Sequence, residues 1–457
     1  MSCHVFYNHG LRTYGLTESP VIRNLNPMDL TLPSGYRIEV FVTGLNYPAG
    51  MVFSDNGELY IAESGLNAED ASIIRLSNGR FDIIARNFKV PVTGITYLDG
   101  NVYVSHKGYI TMIRPNGVVQ DIVAGLPCNG DNGISNLAFG PEGKIYFGLG
   151  TATNSGVVGA DNQWLLNHPF LHDHPAIDIT VIGQNYESDN IYVSTEEKAY
   201  TGAFAPYGET NMPNDRKRGS IRASGSVLRM NRDGTELELV AWGFRNPVHI
   251  RFDREFRLFV ANRGYDVRGS RPIANALDEF HLIAPGVWYG WPDYSAGEPL
   301  TLDKFKPEGR LQPEFLLAEH PNIPPYPYAV FPPHSSITGF DFNYRTSFGF
   351  LGSVFIAEFG SLGPITMGES APYAGISQRV SRIDMNTREV STFISNKSGL
   401  PAYLSGEGGF GRPVDVKFGP DDAMYILDAG ISERRNMFQI VPNTGVIWRV
   451  SRISFDI

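Results

Sequence analysis

An arginine and an asparagine stand side by side at the start of a short alternating segment in the middle of the chain. Arg245 and Asn246 are followed by a proline and then by Val248, Ile250 and Phe252, with polar residues between them. Alternation with a period of two predicts a half-buried β-strand. A guanidinium presents a fixed fork of donors that suits carboxylates, and an amide adds both a donor and an acceptor. The segment therefore predicts a polar contact site at a strand entrance.

The pattern around this segment recurs along the chain. In its first copy, two alternating stretches flank Ser54-Asp-Asn-Gly57, a sequence typical of a β-hairpin turn. Equivalent hairpins follow five more times, and no segment has a convincing helical period. Repeats of this kind predict an all-β chain folded as a six-bladed β-propeller. The six predicted hairpins cover residues 47–63, 92–106, 134–148, 248–262, 337–358 and 414–428.

The sequence between and before the repeats predicts the domain organisation. We expect an irregular N-terminal segment over residues 1–31 and a single propeller domain over residues 32–457. The early strand at residues 36–42 is expected to join the last blade and close the ring. Two insertions, at about 151–225 and 264–333, each begin just after the second strand of a blade. Long connections usually form lids or binding loops, so we predict two loops over one face of the propeller.

The innermost strand of each propeller blade runs along the central channel. Residues just before that strand and just after the second strand therefore meet around one mouth, which we call the rim. Polar residues at the rim would suit an anionic or hydroxyl-rich ligand. The alternative is that they are solvated turns, because loops are polar by default. The predicted rim residues are Glu63, His106, Asp131, Asn132, Arg245, Asn246, Asn262, Arg263, His334, Ser335, Ser336, Glu358, Arg412, Asp415 and Asp428.

Three histidines lie close together in the first insertion. His168, His172 and His174 have the spacing H-x3-H-x-H with a neighbouring aspartate, and could bind zinc or another transition metal. The alternative is a packed polar loop, because the spacing matches no metal motif of known mechanism.

Composition and charge exclude several other classes of function. The 457 residues are 42% hydrophobic and 19% charged, as in an ordinary globular protein. A net charge of -10 and a pI near 5.5 disfavour nucleic acid as a partner. The two cysteines, Cys3 and Cys128, form no disulfide framework, and no apolar run reaches the roughly 20 residues of a membrane helix. Without a recognisable signal peptide we expect a cytoplasmic protein, or a periplasmic or secreted one if a leader has been removed.

Four motifs resemble those of the soluble quinoprotein glucose/sorbosone dehydrogenases. These are six-bladed propellers that use pyrroloquinoline quinone (PQQ) with calcium, and the likeness covers most of the chain from about Leu32 onward. The motifs are Trp242-Gly-Phe-Arg-Asn-Pro247, Asp278-Glu-Phe-His-Leu-Ile283 with Trp288-Tyr-Gly-Trp-Pro292, Phe139-Gly-Pro-Glu-Gly-Lys-Ile-Tyr146 and Gly411-Arg-Pro-Val-Asp-Val416.

This resemblance implies a PQQ-dependent sugar dehydrogenase and assigns roles to particular residues. It implies that Arg245 and Asn246 contact the quinone and that Arg412 pairs with one of its carboxylates. The backbone carbonyls of Gly264 and Tyr265 fall where the family holds calcium, a hard cation that takes oxygen ligands. The implied substrate is a sugar-like molecule. The chain has no Cys-x-x-Cys-His motif for haem attachment, so we expect a separate electron acceptor.

The chain departs from the family pattern at three positions. Asn132 stands where the family has a histidine that acts as general base, and an amide cannot accept the proton of a sugar hydroxyl. Gly360 and Val414 stand where the family has a lysine and a second arginine near the cofactor. If the activity is retained, the base has to come from His106, His334 or the histidines at 168, 172 and 174.

Two other classes of function stay open at this point. The rim could bind a carbohydrate or an acidic small molecule without redox chemistry, which the altered base position favours. It could also belong to a metal-dependent hydrolase or lyase, built on Glu63, His106, Glu358 or the histidines of the first insertion.

Overall fold

The computed structural model describes residues 23–67, 70–193, 196–361, 378–433 and 439–453. Within them, six antiparallel sheets of four or five strands form the blades of a propeller, as the sequence predicted. The inner strands of neighbouring blades contact one another in a closed ring, from the first blade to the sixth and back to the first.

The N-terminal part of the described chain contributes a 3₁₀ turn, two strands that join later blades, and the first two blades. Alternating apolar residues and Gly-containing turns make each blade a run of neighbouring antiparallel strands. The elements are a 3₁₀ turn at Pro27–Asp29, β1 (Leu30–Thr31), β2 (Tyr36–Leu45), β3 (Pro48–Phe53), β4 (Leu59–Glu63), β5 (Ser72–Ser77), β6 (Arg80–Arg86), β7 (Val92–Leu98), β8 (Asn101–His106), β9 (Tyr109–Ile113) and β10 (Val119–Val123).

Blades three and four carry the long insertions. Blade three is the sheet β11-β12-β17-β18, and blade four is the sheet β19-β20-β21-β24. Their elements, with the small hairpins of the insertions, are β11 (Ile134–Phe139), β12 (Ile145–Leu149), a 3₁₀ turn at Gln163–Leu166, β13 (Ile179–Thr180), β14 (Asn185–Asp189), β15 (Lys198–Gly202), β16 (Arg216–Lys217), β17 (Ser226–Met230), β18 (Glu238–Trp242), β19 (Asn246–Phe252), β20 (Leu258–Arg263), β21 (Asp278–Leu282), β22 (Tyr294–Ser295), β23 (Glu298–Pro299), a 3₁₀ turn at Asp303–Phe305 and β24 (Ala329–Phe331).

Blades five and six complete the ring. Aromatic and β-branched residues fill the space between these two blades, where Phe355 and Trp448 are fully buried. Their elements are β25 (Ile337–Phe342), a 3₁₀ turn at Thr346–Phe348, β26 (Val354–Glu358), β27 (Arg379–Ile383), β28 (Val390–Asn396), a single-turn helix α1 (Ala402–Ser405), β29 (Pro413–Phe418), β30 (Met424–Asp428) and β31 (Gly445–Arg452). No helix in the described part of the chain is long and apolar enough to cross a membrane.

Strands near the two ends of the described chain close the propeller, as predicted. Strand β2 pairs along its length with β31 and becomes the outer strand of blade six. Strand β1 pairs with β28 and adds a fifth strand to blade five. The propeller therefore begins at Leu30, two residues earlier than the predicted boundary.

The predicted bounds of the second insertion are wrong. Residues 264–333 were predicted as one insertion after the hairpin of blade four, but β21 and β24 within this range are the third and fourth strands of that blade. The sequence of β21 does not alternate between apolar and polar residues, because Asp278, Glu279 and His281 are polar and yet buried. Strand β24 has only three residues, too few for a recognisable pattern. The inserted segments are therefore the loop before β21 and the long loop between β21 and β24.

All six inner strands carry a register shift near their entrance. An extra residue at such a bulge bends the strand and turns a side chain or backbone segment toward the channel. The central cavity at this level has a volume of about 20 Å³, room for about one water molecule. A larger ligand therefore does not fit in the channel at this level. The shifts fall at Pro48/Gly50, Val92/Gly94, Ile134/Leu137, Pro247/His249, Ile337/Phe340 and Pro413/Asp415.

Candidate functional site

The last residue of each second strand occupies an equivalent place at the rim. In every blade it pairs with the first residue of the inner strand, so the six residues form a ring around the mouth. Five of the six are polar, which fits the predicted clustering of polar groups at the rim. They are Glu63, His106, Leu149, Arg263, Glu358 and Asp428.

Arg245 lies in the mouth immediately before β19 and is buried. Its Nη2 donates to Oδ2 of Asp266 at 2.6 Å, and its carbonyl accepts a hydrogen bond from the backbone N–H of Thr151. Its Nε is buried without a partner among the described residues. The side chain is thus fixed by one carboxylate and keeps a donor for a ligand.

Asn246 and Asn132 lie on either side of Gly150. A Cβ atom added to Gly150 would lie 2.3 Å from Cβ of Asn132 and 3.3 Å from Oδ1 of Asn246, so only glycine lets the two amides approach. The Asn132 amide nitrogen donates to the carbonyl and hydroxyl of Thr151, both at 3.1 Å. Within the described chain, Oδ1 of Asn132 and Nδ2 of Asn246 are buried without a partner. The two residues therefore offer one acceptor and one donor.

His334 lies at the same mouth, just before β25. Its backbone is left-handed, with φ of 63°, and its Nδ1 lies 3.9 Å from Oδ1 of Asp266. Burial lowers the pKa of His334, the Asp266 carboxylate opposes this shift, and Arg245 adds to it. The next residue, Ser335, has a buried hydroxyl with no partner among the residues described. His334 is thus a largely neutral imidazole beside a carboxylate.

His106 is held inside blade two. Its Nδ1 accepts the backbone N–H of Lys89 at 3.1 Å, so its Nε2 carries the proton and donates to the Thr111 hydroxyl at 2.7 Å. Burial lowers the pKa of His106 to about 4, with Asp121 opposing the shift. Both ring nitrogens therefore form hydrogen bonds, and neither is free to act as the base that was expected as one possibility for His106.

Arg412 is fully buried between blades five and six. Its Nη1 donates to the carbonyls of Phe359 and Ser361, at 3.0 and 2.9 Å, and its Nη2 donates to the Tyr403 hydroxyl at 2.7 Å. Its Nε donates to Oγ of Ser432 at 2.9 Å. The residue stands at the rim as predicted, but most of its donors already bind neutral oxygens.

The two insertions are joined by an ionic cluster over the mouth. Arg268, in the second insertion, pairs with Asp161 of the first insertion at 2.6 Å, with Asp131 and with Asp266 at 3.3 Å. The backbone of Asp266 also binds the side-chain amide of Asn154. Its N–H donates to Oδ1 and its carbonyl accepts from Nδ2, each at 2.8 Å. Arg268 could not be found from the sequence because Asp131 and Asp161 lie more than 100 residues away from it, and Asp266 could not be found because its position depends on how the second insertion folds. The cluster confirms that both insertions cover one face.

The carbonyl oxygens of Gly264 and Tyr265 lie where this cover begins. The backbone N–H of Gly264 donates to Oδ1 of Asp278 at 2.8 Å, which fixes the orientation of the peptide. Neither carbonyl accepts a hydrogen bond from a residue that the structure describes. Unpartnered carbonyl oxygens are suitable ligands for calcium, so this segment fits the predicted role.

The histidines of the first insertion do not form the metal site that was one of the two alternatives for this segment. The rings of His172 and His174 lie 4.4 Å apart, and Nδ1 of His172 is 2.9 Å from the carbonyl of Phe170. Over the described ranges, no group of three or more His, Cys, Asp or Glu side chains is placed to hold a metal ion. Glu63 and Glu358 bind groups of their own blades through Ser72 and Ser381.

Comparisons with known proteins support the fold at low sequence identity. No family model matches the chain. Quinoprotein glucose dehydrogenase B of Acinetobacter calcoaceticus is 24% identical over 193 residues, which span 42% of this chain and 31% of that relative. The PQQ-bound aldose sugar dehydrogenase of Streptomyces coelicolor superposes with a TM-score of 0.51 and 17% identity, covering 92% of this chain and 99% of that one.

A further solved structure shares the same architecture. The calcium structure of a carbohydrate-active enzyme from Trichoderma reesei superposes with a TM-score of 0.55 and 13% identity, covering 93% of this chain and 97% of that one. Together with the closed ring of six blades, these comparisons confirm the resemblance seen in the sequence motifs. The chain has the six-bladed propeller fold of the soluble PQQ-dependent sugar dehydrogenases.

Proposed function

We propose that this protein is a PQQ- and calcium-dependent dehydrogenase that oxidises a hydroxyl group of an aldose-type sugar. The observation that carries the proposal is a set of buried polar atoms without partners in the covered mouth. Buried donors and acceptors are nearly always paired in proteins, so a group of unpaired ones points to a ligand. The set comprises Arg245 Nε, Asn246 Nδ2, Arg263 Nη2, Asn132 Oδ1 and Ser335 Oγ.

The residues of the mouth suit an acidic quinone with a bound calcium ion. Arg245 and Asn246 would donate to the oxygens of the quinone from the entrance of β19. The carbonyls of Gly264 and Tyr265 would contribute oxygen ligands to calcium. When bound, the quinone and its calcium ion supply the acceptor for the hydride of the substrate. The ionic cluster around Arg268 would keep the covering loops over this site and exclude water from it.

His334 is the best-placed general base. Its Nε2 binds no described residue, whereas both nitrogens of His106 are engaged within blade two. In the proposed reaction, Nε2 of His334 takes the proton of the sugar hydroxyl, and a hydride leaves the carbon that bears this hydroxyl. The Asp266 carboxylate, 3.9 Å from Nδ1, then stabilises the imidazolium. Asn132 Oδ1 and Ser335 Oγ would orient neighbouring hydroxyl groups of the sugar.

The electrons are proposed to leave to a separate acceptor. The chain contains only Cys3 and Cys128 and has no haem attachment motif, so it provides no covalently bound haem of its own.

The proposal is tested by titrating the full chain with PQQ, with and without calcium, while tryptophan fluorescence and absorbance are followed. We expect calcium-dependent binding that is lost in Arg245→Gln and kept in the surface control Arg229→Gln. A dye-coupled screen of aldoses then tests turnover. Absence of PQQ binding by a folded protein would overturn the proposal, and sugar binding without turnover would favour a non-redox binding protein.

A further inference from the structure

A cavity lies at the end of the propeller opposite the mouth. The mouth is formed where inner strands begin and second strands end, whereas this cavity is lined by the turns that join those strands in blades five and six, including Ser347 and Asp422. The start of β2 at Tyr36 and the end of β31 at Arg452 complete its wall. Its volume of about 960 Å³ lies in the range of small-molecule sites, about 300–1,000 Å³. It shares no lining residue with the rim.

Two arginines line this cavity without a carboxylate partner. Arg37 donates from Nε to the hydroxyl of Ser451 at 3.0 Å. Arg452 makes no hydrogen bond or ion pair with a residue that the structure describes. Both side chains are exposed. Most of the five N–H donors of each guanidinium are therefore available to a ligand.

The two carboxylates that line the cavity bind other groups. Asp421 pairs with Arg449, the third arginine of the wall, at 2.6 Å. Asp422 accepts the hydroxyl of Ser347 at 2.5 Å and lies 3.6 Å from Nε of Arg345.

The cavity therefore carries an excess of positive charge on a protein whose net charge is -10. Like charges inside a concave site focus the electrostatic potential and raise the local concentration of oppositely charged ligands. The charges of Arg37 and Arg452 thus favour an anion in this cavity.

The wall beside Arg452 is apolar and leaves its guanidinium free. A Cβ atom added to Gly349 would lie 2.8 Å from Oη of Tyr36 and 3.4 Å from Nη1 of Arg452, and the backbone there has φ of 86°, so glycine keeps this place open. The Tyr36 hydroxyl donates to the carbonyl of Phe348 at 2.5 Å. Phe350 and Ile453, 39% and 40% exposed, also line the cavity. The cavity thus combines free cationic donors with an apolar wall.

We propose that this cavity binds a phosphate monoester of a small organic molecule, and that Arg37 and Arg452 contact its phosphate group. A guanidinium presents a fixed fork of donors that matches phosphate oxygens, and a phosphate monoester carries up to about two negative charges at neutral pH. Inorganic phosphate would leave most of the cavity unfilled, so the ligand is expected to have an organic part that contacts Phe350 and Ile453. The site lies outside the mouth and does not depend on the proposed function.

Solvation alone explains less of what is observed. A single solvated arginine is common on a protein surface and would not indicate a ligand. Here two arginines without carboxylate partners line one cavity, next to exposed apolar side chains. Their mutual repulsion disfavours the protein without its ligand, and an anion between them would offset it.

The test titrates the full chain by calorimetry with inorganic phosphate, glucose 6-phosphate and adenosine 5′-monophosphate. We expect at least one ester to bind more tightly than inorganic phosphate, and to bind more weakly as sodium chloride is raised from about 0.05 to about 0.5 M. Arg37→Gln and Arg452→Gln should each weaken this ester about 10-fold, the lower end for a hydrogen bond to a charged group, because both arginines are exposed. The double variant should lose binding, and the surface control Arg75→Gln should keep it.

A second kind of variant blocks the cavity and keeps both arginines. Ser34 is exposed, lines the cavity and makes no hydrogen bond within the described chain. Ser34→Trp should weaken the ester more than it weakens inorganic phosphate, because the indole takes the space of the organic part.

Each outcome decides a separate point. Thermal midpoints of all variants should stay close to that of the parent, which separates lost binding from lost folding. Tighter binding of glucose 6-phosphate would assign the site to sugar phosphates, and tighter binding of adenosine 5′-monophosphate would assign it to nucleotides. Absence of ester binding by the parent, or equal ester affinity of the parent and the double arginine variant, would overturn the site. Binding of PQQ should be the same in parent and variants, so this site and the proposed function can fail independently.

Discussion

The same position in blades one and four of this propeller has two different uses. In blade one the last residue of the second strand is Glu63, whose oxygens accept the backbone N–H of Asn46 and the hydroxyl of Ser72. In blade four the equivalent residue is Arg263, whose Nη2 has no partner among the described residues. Both are charged residues at the end of a strand. Only the second has bonding capacity left for a ligand.

The difference follows from what surrounds each strand end. No long insertion follows the second strand in blades one and two, and the polar groups of Glu63 and His106 are satisfied within their own blades. The insertions of blades three and four cover the other half of the mouth, where Arg268 links them through Asp131 and Asp161. The covering loops exclude water from the polar groups beneath them. A buried polar group that has no protein partner therefore needs a ligand. Unpaired buried atoms thus distinguish the two halves better than residue type does.

The largest expected effect is on His334, the histidine of the covered half. His334→Gln should lower kcat of the reconstituted enzyme by about 10²- to 10⁴-fold, the usual contribution of a general base. Binding of PQQ and the thermal midpoint should stay close to those of the parent. A loss smaller than tenfold would mean that another group accepts the proton.

The pH profile sharpens this prediction. A base acts in its neutral form, and the pKa of His334 is lowered by burial, so kcat/KM should rise to its plateau with an apparent pKa below 6.5. Because Asp266 opposes this shift, Asp266→Asn should move the profile to still lower pH. A profile that stays in place in Asp266→Asn would argue against the coupling between these two residues.

The second prediction concerns the ionic cluster that joins the insertions. Arg268→Met would leave Asp131, Asp161 and Asp266 without their shared cation in a buried place, which should destabilise the protein by about 3–5 kcal/mol. Arg229→Met is the matched surface control, because the exposed pairs of Arg229 with Glu142 and Glu238 contribute about 0–1 kcal/mol. Urea denaturation measures both variants, and equal effects would contradict the structural role of the cluster.

The propeller could be predicted from the sequence because its signals are local. Hairpins with turn residues between alternating strands repeat six times, and the pairing of β2 with β31 follows from the need to close the ring. Strand β21 could not be predicted, because Asp278, Glu279 and His281 are buried and polar in place of the apolar alternation. Their burial depends on partners in other segments, including Ile337 and Asn262.

The candidate site was predictable in part for the same reason. Arg245 and Asn246 stand at a strand entrance, and their place at the rim follows from the blade architecture alone. The role of Asp266 in fixing Arg245 and approaching His334 depends on how the second insertion folds, which no local pattern reports. The roles of His106 and His334 also could not be separated beforehand. Their difference lies in contacts with Lys89, Thr111 and Asp266 rather than in spacing.

The third prediction tests the half of the mouth without insertions. The pKa of His106 is lowered to about 4 in the folded protein, whereas an unfolded histidine titrates near 6.5. Between pH 4 and 6.5 this histidine is therefore more often protonated in the unfolded chain than in the folded protein. The free energy of unfolding decreases as pH falls from 6.5 to 4. This loss amounts to about 3 kcal/mol in the limit. His106→Gln should flatten this part of the stability profile in urea denaturation, and an unchanged slope would contradict the assignment.

The smallest effect is expected for the histidines of the first insertion. His174 is exposed, and Nδ1 of His172 lies 2.9 Å from the carbonyl of Phe170, which suits a surface loop. His172→Ala and His174→Ala should each change the free energy of unfolding by less than about 0.5 kcal/mol, as most surface substitutions do. Elemental analysis should find the same zinc content in the parent and in both variants. Stoichiometric zinc that disappears in either variant would show a metal site formed by this loop, and would favour metal-dependent chemistry over the quinone at the rim.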